Sequence, residues 1–581
     1  MSRVLGNVAG EYDIIPGLRL RSTVGGNFSF ERTPYFAPST IQPGNPTGDA
    51  SLFTNQATEF TNENTLNYRR DKVGPGALEL LGGFSIQTSD LEESWEGARN
   101  FPTDLFEYNN LGAGTTRTDL RTSATNWKIL SGFGRAVYNI NDRYILQASA
   151  RRDGSSRFGA NNKWAVFPSA SLAWRVSEEP FLKGRGPFSD LKLRLSYGTT
   201  GNQAITEYQS LARLQTIYSA IGRNAEAIGL APASAAPNPD LKWEVQKEGN
   251  LGLDMGFLNG RITLSADAYQ RTTDDLLLEV LLPRISGYSS QLQNVGSVRN
   301  RGFEFGLTST NVQRGRFSWS STLNLATNRN RVLDLGGVDF INPGAERFGQ
   351  FIGQENVTIV QVGQPLSSFF GYKVNGLYQQ GDACPLANTA LCAPGEYKVQ
   401  DTNGDKVISS ADRVILGNAQ PKYYGGFTNN FAFGPVTLNA FLNFSAGNKV
   451  ANLSGVFTRL ATGFLNESEA VLNRWTPTNT NTDIPRANNT RARLVYSTLI
   501  EDGSFLRLQT LTLGYRLPRA VVPRVQDARL FLTGQNLFVI TNYSGFDPEV
   551  NSVGGDPRFV GIDVGAYPRA RAYNVGLNVT F

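Results

Sequence analysis

Histidine is absent from the 581 residues, and methionine and cysteine occur only twice each. Without histidine the chain lacks the side chain that most often serves as general base and metal ligand near neutral pH. No apolar run approaches the roughly 20 residues that a membrane-spanning helix needs, and mean hydropathy is −0.28. A helical membrane protein is therefore excluded. The 55 basic and 50 acidic residues leave a net charge of only +5 and form no basic block, so no nucleic-acid partner is expected. Behind Met1 there is no basic, apolar and small-residue series of a secretory signal; SRVLGNVAGEYDI already reads as a strand.

Glycine (60 residues) and aromatics (11%) are plentiful, so strands and turns dominate the expectation. The last nine residues, YNVGLNVTF, set the pattern. Tyr573, Val575, Leu577 and Val579 alternate with Asn574, Gly576, Asn578 and Thr580. A period of two places these sets on opposite faces of a strand. Lipid outside and a wet lumen inside would produce such a strand. The terminal Phe581 resembles the assembly signal of Gram-negative outer-membrane barrels, whereas the bland alternative is an edge strand of a soluble sandwich.

The same alternation recurs. Val436, Leu438, Ala440, Leu442 and Phe444 interleave with Thr437, Asn439, Phe441, Asn443 and Ser445. Phe303, Phe305 and Leu307 interleave with Glu304, Gly306 and Thr308; Leu511, Leu513 and Tyr515 with Thr512, Gly514 and Arg516. Glu304 and Arg516 are thereby assigned to the lumen, since an Arg on the lipid face near the midplane costs roughly 2–4 kcal/mol. Strands are expected near residues 4–14, 18–28, 64–70, 77–87, 129–140 and 144–152, with polar stretches between 28 and 62 and between 87 and 126. Short turns fall at Asn141-Asp142, Leu258-Asn259-Gly260, around Arg314 and at Phe433–Pro435. Long excursions occupy about 200–238, 330–365, 376–414, 448–502 and 541–570. Short turns on one rim and long loops on the other define an all-β fold, a transmembrane antiparallel β-barrel with long extracellular loops and roughly 16–18 strands.

Several motifs resemble the SusC/RagA-type TonB-linked outer-membrane proteins. They are NPDLKWEVQKEGNLGLDMGFLNGRITLSADAYQRTTDDLLL (238–278), NVGSVRNRGFEFGL (294–307), FFGYKVNGLYQ (369–379) and DTNGDKVISSADRVILGNAQPKYYGGFTNNF (401–431). SFLRLQTLTLGYRLP (504–518), GQNLFVITNYSGFDPE (534–549) and the terminal strand extend the match over essentially the whole chain, residues 1–581. The resemblance implies a barrel of about 22 strands in the full family member, closed by an N-terminal plug. It also implies import of glycans or peptides energised through TonB, a SusD-like surface lipoprotein as partner, outer-membrane lipids around the wall, and a Bacteroidota-type outer membrane as location. Signal peptide, TonB box, plug and first strands have no counterpart here. The expectation is therefore a C-terminal barrel portion, a truncated frame rather than a mature product or an engineered piece, with TonB reached only through a plug missing from this chain.

Cys384 and Cys392 are close enough to close a small disulfide loop, which persists only in an oxidising compartment, or else remain two free thiols. Their spacing excludes a CxxC zinc site. In DTNGDKVISSAD, oxygen-bearing side chains fall at loop positions 1, 3, 5, 9 and 12, namely Asp401, Asn403, Asp405, Ser409 and Asp412. Val407 can add its carbonyl. That is the ligand spacing of an EF-hand-like calcium loop, where hard oxygens converge on one ion. Lys406 stands where such loops prefer Gly, and Asp412 replaces the usual Glu. The alternative is an Asx-rich turn held by side-chain to backbone bonds.

The adjacent pairs Glu92-Glu93 and Asp274-Asp275 point to opposite faces of a strand and make poor catalytic partners. No nucleophile–base set is visible, so no enzyme is expected. Loop aromatics Tyr35, Phe36, Trp95, Tyr108, Tyr208, Tyr218 and Tyr543 could stack on sugar rings, meet a lid protein, form girdles or hold the loops together. The rival functions are a passive porin-like barrel, a non-functional truncated fragment and a secreted calcium-binding adhesin.

Overall fold

The computed structural model describes residues 1–40, 48–220, 226–344, 348, 352–353, 355–461, 466–519, 521 and 525–581, with side chains left out at 218–228. Seventeen strands belong to one sheet. The first seven are β1 (Ser2–Ile15), β2 (Leu18–Ala37), β3 (Asp49–Val73), β4 (Gly76–Arg99), β5 (Thr116–Ile140), β6 (Tyr144–Ser155) and β7 (Trp164–Arg175). Next come β8 (Phe188–Asn202), β9 (Glu244–Phe257), β10 (Ile262–Asp274), β11 (Ser297–Arg314) and β12 (Phe317–Asp334). The series ends with β13 (Tyr423–Phe433), β14 (Val436–Ala446), β15 (Phe505–Arg516), β16 (Asp527–Thr541) and β17 (Ala572–Thr580). Among the described residues no helix is long and apolar enough to cross a membrane.

Two compact units divide the chain. The first comprises Met1–Trp174, Leu195–Glu248 and Thr273–Val295. In it β1 to β7 run as an up-and-down antiparallel meander, each strand paired with the next. The β5–β6 turn puts Asn141 and Asp142 at φ +52° and +55°, a left-handed region that short polar side chains tolerate. A small core of Phe158, Ile205, Leu241 and Trp243 packs on Phe167 of β7.

Two expected polar stretches are corrected here. β2 continues to Ala37 and pairs with β3 as far as Ala37↔Asp49, while β4 and β5 stay paired to Arg99↔Thr116. The segments beyond residues 28 and 87 are thus largely strand. Alternating hydrophobicity fades where lipid ends, but the ladder needs only backbone N–H and C=O groups. A polar cross-strand pair such as Thr54–Ser94 (2.6 Å) replaces the apolar ones. At about 3.4 Å per residue, a 25-residue strand such as β3 reaches about 80 Å, against roughly 30 Å of hydrocarbon.

The second unit comprises Arg175–Arg194, Gly249–Thr272 and Gly296–Phe581. β11 pairs with β12, and β12 to β17 follow in order, with bulges at Phe441/Leu442 and Leu508/Thr510. Short turns at Gly315 (φ +58°) and Gly434 (φ +57°) close one rim. On the other rim the long connections are not loose polar excursions. They carry their own core, including Phe369, Leu453, Val456, Val495, Tyr496 and Ile562, laced by short strands such as Lys449–Asn452 with Ile500–Asp502. These apolar residues lack any period, which hid them in the sequence.

Beneath the long strands the usual burial is inverted. On β2, Val24, Phe28 and Phe30 are exposed, whereas Thr23, Gly25, Asn27 and Ser29 on the other face are half-buried. Apolar faces of this extent belong against lipid rather than water.

Candidate transport surface and loop site

The face opposite the exposed apolar side chains carries a series of ion pairs. On β1 and β2, Arg19 meets Asp13 at 2.7 Å and Glu11 at 3.3 Å, and Arg21 meets Glu11 at 3.2 Å. In the second unit Arg194 bridges Asp254 (2.8 Å) and Asp267 (2.9 Å), with Lys192 on Asp254 at 2.8 Å. Glu304 shares its face with Gly302 and Gly306, and Arg516 pairs with Asp527 at 3.0 Å. Hydroxyl pairs Ser149–Ser169 (2.7 Å) and Thr512–Thr533 (2.9 Å) extend the polar lining. Where this face must accept a ring, glycine makes room: Tyr269 lies over Gly302 and Phe531 over Gly576, at positions a Cβ would occupy. Such a wall offers many weak, wet contacts.

The loop unit has one charged centre inside its core. Glu396 accepts from Arg486 Nε (2.7 Å), Asn488 Nδ2 (2.9 Å) and Arg491 Nε (3.0 Å). Glu396 and Arg491 are only 7% and 8% exposed. Burial opposes ionisation of this carboxyl, but Arg486 and Arg491 outweigh it and hold the group below the usual carboxylate range. Nearby, the rings of Tyr397 and Tyr496 pack at a tilt of 48° with centroids 4.9 Å apart. Cys384 and Cys392 are joined in a disulfide with Cα atoms 5.5 Å apart, and Cys392 packs with Tyr378 and Leu386. Such a bond persists in an oxidising compartment.

The six residues assigned to calcium lie on one exposed loop, but their oxygens are turned to amides. Asp401 accepts from Gly404 (2.7 Å) and Lys406 (2.8 Å), Asn403 from Asp405 (3.0 Å), and Asp405 from Val407 (2.7 Å). Lys406 takes φ +65°, the left-handed turn that a Gly would adopt more easily. The fully buried Asp412 accepts from Thr402 and Ser409, each at 2.8 Å, and Ser409 caps the turn by accepting from Ala411. Burial raises the Asp412 carboxyl while these amides lower it further, and the net direction is down. Among the described residues no three acidic, Cys or His side chains are disposed to hold a metal together.

Asp274 pairs with Lys247 (2.9 Å) and Asp275 with Lys242 (2.8 Å), so these adjacent acids are neutralised separately. Glu92 and Glu93 sit within β4, opposite Ala124 and Ser123. Of the loop aromatics, Tyr543 is core: 5% exposed, it donates to Asp563 at 2.6 Å. Trp95 packs on Phe53 at 5.2 Å under Arg121, Tyr108 joins Phe101, and Tyr208 accepts from the Asn126 amide at 2.9 Å. Tyr35 stays exposed, Phe36 packs beside Ala50, and the Tyr218 side chain lies outside the described residues. Phe581 is 85% exposed, one residue past the last ladder pair, Asp527↔Thr580. Sequence reading missed Glu396–Arg491 and Arg507–Asp547 (2.6 Å), pairs 95 and 40 residues apart that no local spacing announces.

A long-stranded sheet with its apolar face outward, its charge on the other face and a folded loop system on one rim is the wall of an outer-membrane β-barrel. The chain belongs to the TonB-dependent receptors: the family described as "TonB dependent receptor-like, beta-barrel" matches residues 5–537. It is 37% identical to TonB-dependent receptor P3 of Formosa agariphila over 588 residues, 99% of this chain and 58% of that protein. It is 30% identical to TonB-dependent receptor SusC of Bacteroides thetaiotaomicron over 597 residues, 99% of this chain and 56% of that protein. The RagAB peptide transporter structure superposes with a TM-score of 0.84 at 28% identity, covering all of this chain and 62% of that one. The chain thus spans a little over half the length of the curated relatives it matches. Its location is the outer membrane, and its family is one of transporters rather than enzymes.

Proposed function

We propose that this chain forms the wall and loop system of a TonB-dependent importer of oligomeric nutrients, glycan or peptide. The observation that carries the reading is the charged, hydroxyl-rich face running behind an exposed apolar one, in a chain similar to both SusC and RagAB. A wall of many weak polar contacts suits a large polar cargo, because no tight site arrests it. Coupling to TonB runs through a plug segment outside this chain. A SusD-like lipoprotein docks on the long-connection rim, where the loop core supplies a rigid platform. The test is uptake of labelled oligosaccharides and oligopeptides by cells with and without the receptor, together with affinity capture of the lipoprotein. Loss of uptake on deletion, or on collapse of the proton-motive force, supports the reading. Uptake that survives collapse of that force would instead mean passive diffusion.

We also propose calcium as a structural ion at loop 401–412. Supporting it are the ligand spacing and the left-handed Lys406, which curls Asp401, Asn403 and Asp405 into one turn. In opposition stand the amide bonds that already occupy Asp412.

A further inference from the structure

Arg299 and Arg301 on β11 face Arg331 and Arg329 on β12 as direct cross-strand partners. Like charges set opposite one another destabilise an antiparallel pair. Among the described residues no carboxylate forms an ion pair with any of the four, and Arg301 donates only to Gln270, at 2.7 Å. An anion shared between two such pairs on one ladder would relieve that repulsion.

The face they occupy identifies that anion's source. Gly302 lies under Tyr269, and Asn300 joins Asn328 (3.1 Å) and Asn330 (3.0 Å), so even-numbered residues line the inner face. The arginines therefore share the outward face with Phe303, which is 45% exposed, and with Leu323 and Leu325. From Trp319 near the short turn at Gly315 to Thr327, the outward face carries small or apolar side chains over about 27 Å of strand, close to the height of a barrel's apolar band. Arg329 and Arg331 follow at once, on the rim of the long connections. With Lys422 beside Tyr423 they line a recess of about 790 Å³ where β12 and β13 part, beyond Ala326↔Tyr424.

We propose that Arg299, Arg301, Arg329 and Arg331, with Lys422, bind the phosphate of a glycolipid headgroup in the outer leaflet. Planar guanidinium forks match phosphate oxygens bidentately, and one shared dianion offsets the repulsion within both pairs. The acyl chains of the same lipid lie against Phe303 and its neighbours. The inference rests on outer-membrane location and not on import, so its failure would leave the transport reading untouched.

The protein, extracted from outer membranes in mild detergent, is titrated with a phosphorylated diglucosamine lipid and followed by native mass spectrometry. Its dephosphorylated counterpart and inorganic phosphate are run in parallel. The variants are R299Q/R331Q, R301Q/R329Q and the fourfold Arg→Lys chain, all checked for heat-modifiable migration. The expected result is at least about tenfold weaker binding in both Gln variants and for the dephosphorylated lipid, with the Lys chain much less affected. Millimolar inorganic phosphate leaves the lipid bound. Equal binding by folded Gln variants, or equal binding of the dephosphorylated lipid, overturns the site. Displacement by inorganic phosphate overturns the lipid assignment in favour of a soluble anion.

Discussion

Glu396 and Arg491, 95 residues apart in sequence, meet at 3.0 Å inside the core of the loop unit. Arg491 also donates to the Leu460 and Arg486 carbonyls, so one side chain ties three segments together. Replacing Arg491 by Ala would leave a buried carboxylate with reduced compensation, at a cost of about 3–5 kcal/mol. Limited proteolysis should then cut within 376–500 while the strands stay resistant. An unchanged cleavage pattern would sink this assignment.

Acid should act on the same unit. Glu396 and Asp412 both have folded pKa values below their unfolded ones, so their contribution is whole above the unfolded values and is lost as pH falls through the folded values. Unfolded carboxylates titrate near pH 4, which places the loss below about that pH. Hydrogen exchange of the loop amides should rise there, with the sheet still protected. Flat protection down to about pH 3 would contradict the sign of both shifts.

The Cys384–Cys392 bridge closes a loop with a separation of 8 residues. Chain entropy gives such a link about 2.5 kcal/mol. Double substitution by Ser should loosen the turn that holds Tyr378 and Leu386, read as faster nicking near residue 385. Sheet assembly should be unaffected.

Phe531 lies across Gly576 on β16 and β17, at the position a Cβ would take. Gly576→Val should destabilise the terminal hairpin by about 1–3 kcal/mol, seen as less heat-modifiable protein in the membrane. Adding Phe531→Ala should recover part of the loss. A double variant no better than Gly576→Val would show that the ring is not what fills the space.

For loop 401–412 the expected calcium affinity is weak, on the order of 10⁻⁴–10⁻³ M, because Asp412 is already committed to two amides. Calorimetric titration should give that range for the parent chain and no heat for D401N/D405N. No heat from the parent chain either would leave only the Asx turn.

The sequence shows its strands where the period of two is strict, as at Val436–Phe444 and Tyr573–Val579, because lipid on one side and water on the other impose it. It conceals the outer halves of β2 to β5, where water lies on both sides and only the backbone ladder continues. It also conceals the loop core, since residues such as Val456 and Ile562 come together across about a hundred positions without any local repeat. Position 406 shows the limit of residue-type rules. A Lys occupies the left-handed turn because the Asp401 carboxylate accepts its amide and that of Gly404.

The paired outer reaches of β2 to β5 have a consequence for how this surface can change over time. Main-chain bonds hold them in register whatever side chains project, provided that proline and glycine stay rare. Selection can therefore rewrite the outermost Thr, Asn, Gln and Glu residues without unfolding the wall beneath. Substitution there carries little risk to the ladder, whereas a charge placed on the lipid-facing half of the same strands costs about 2–4 kcal/mol near the midplane.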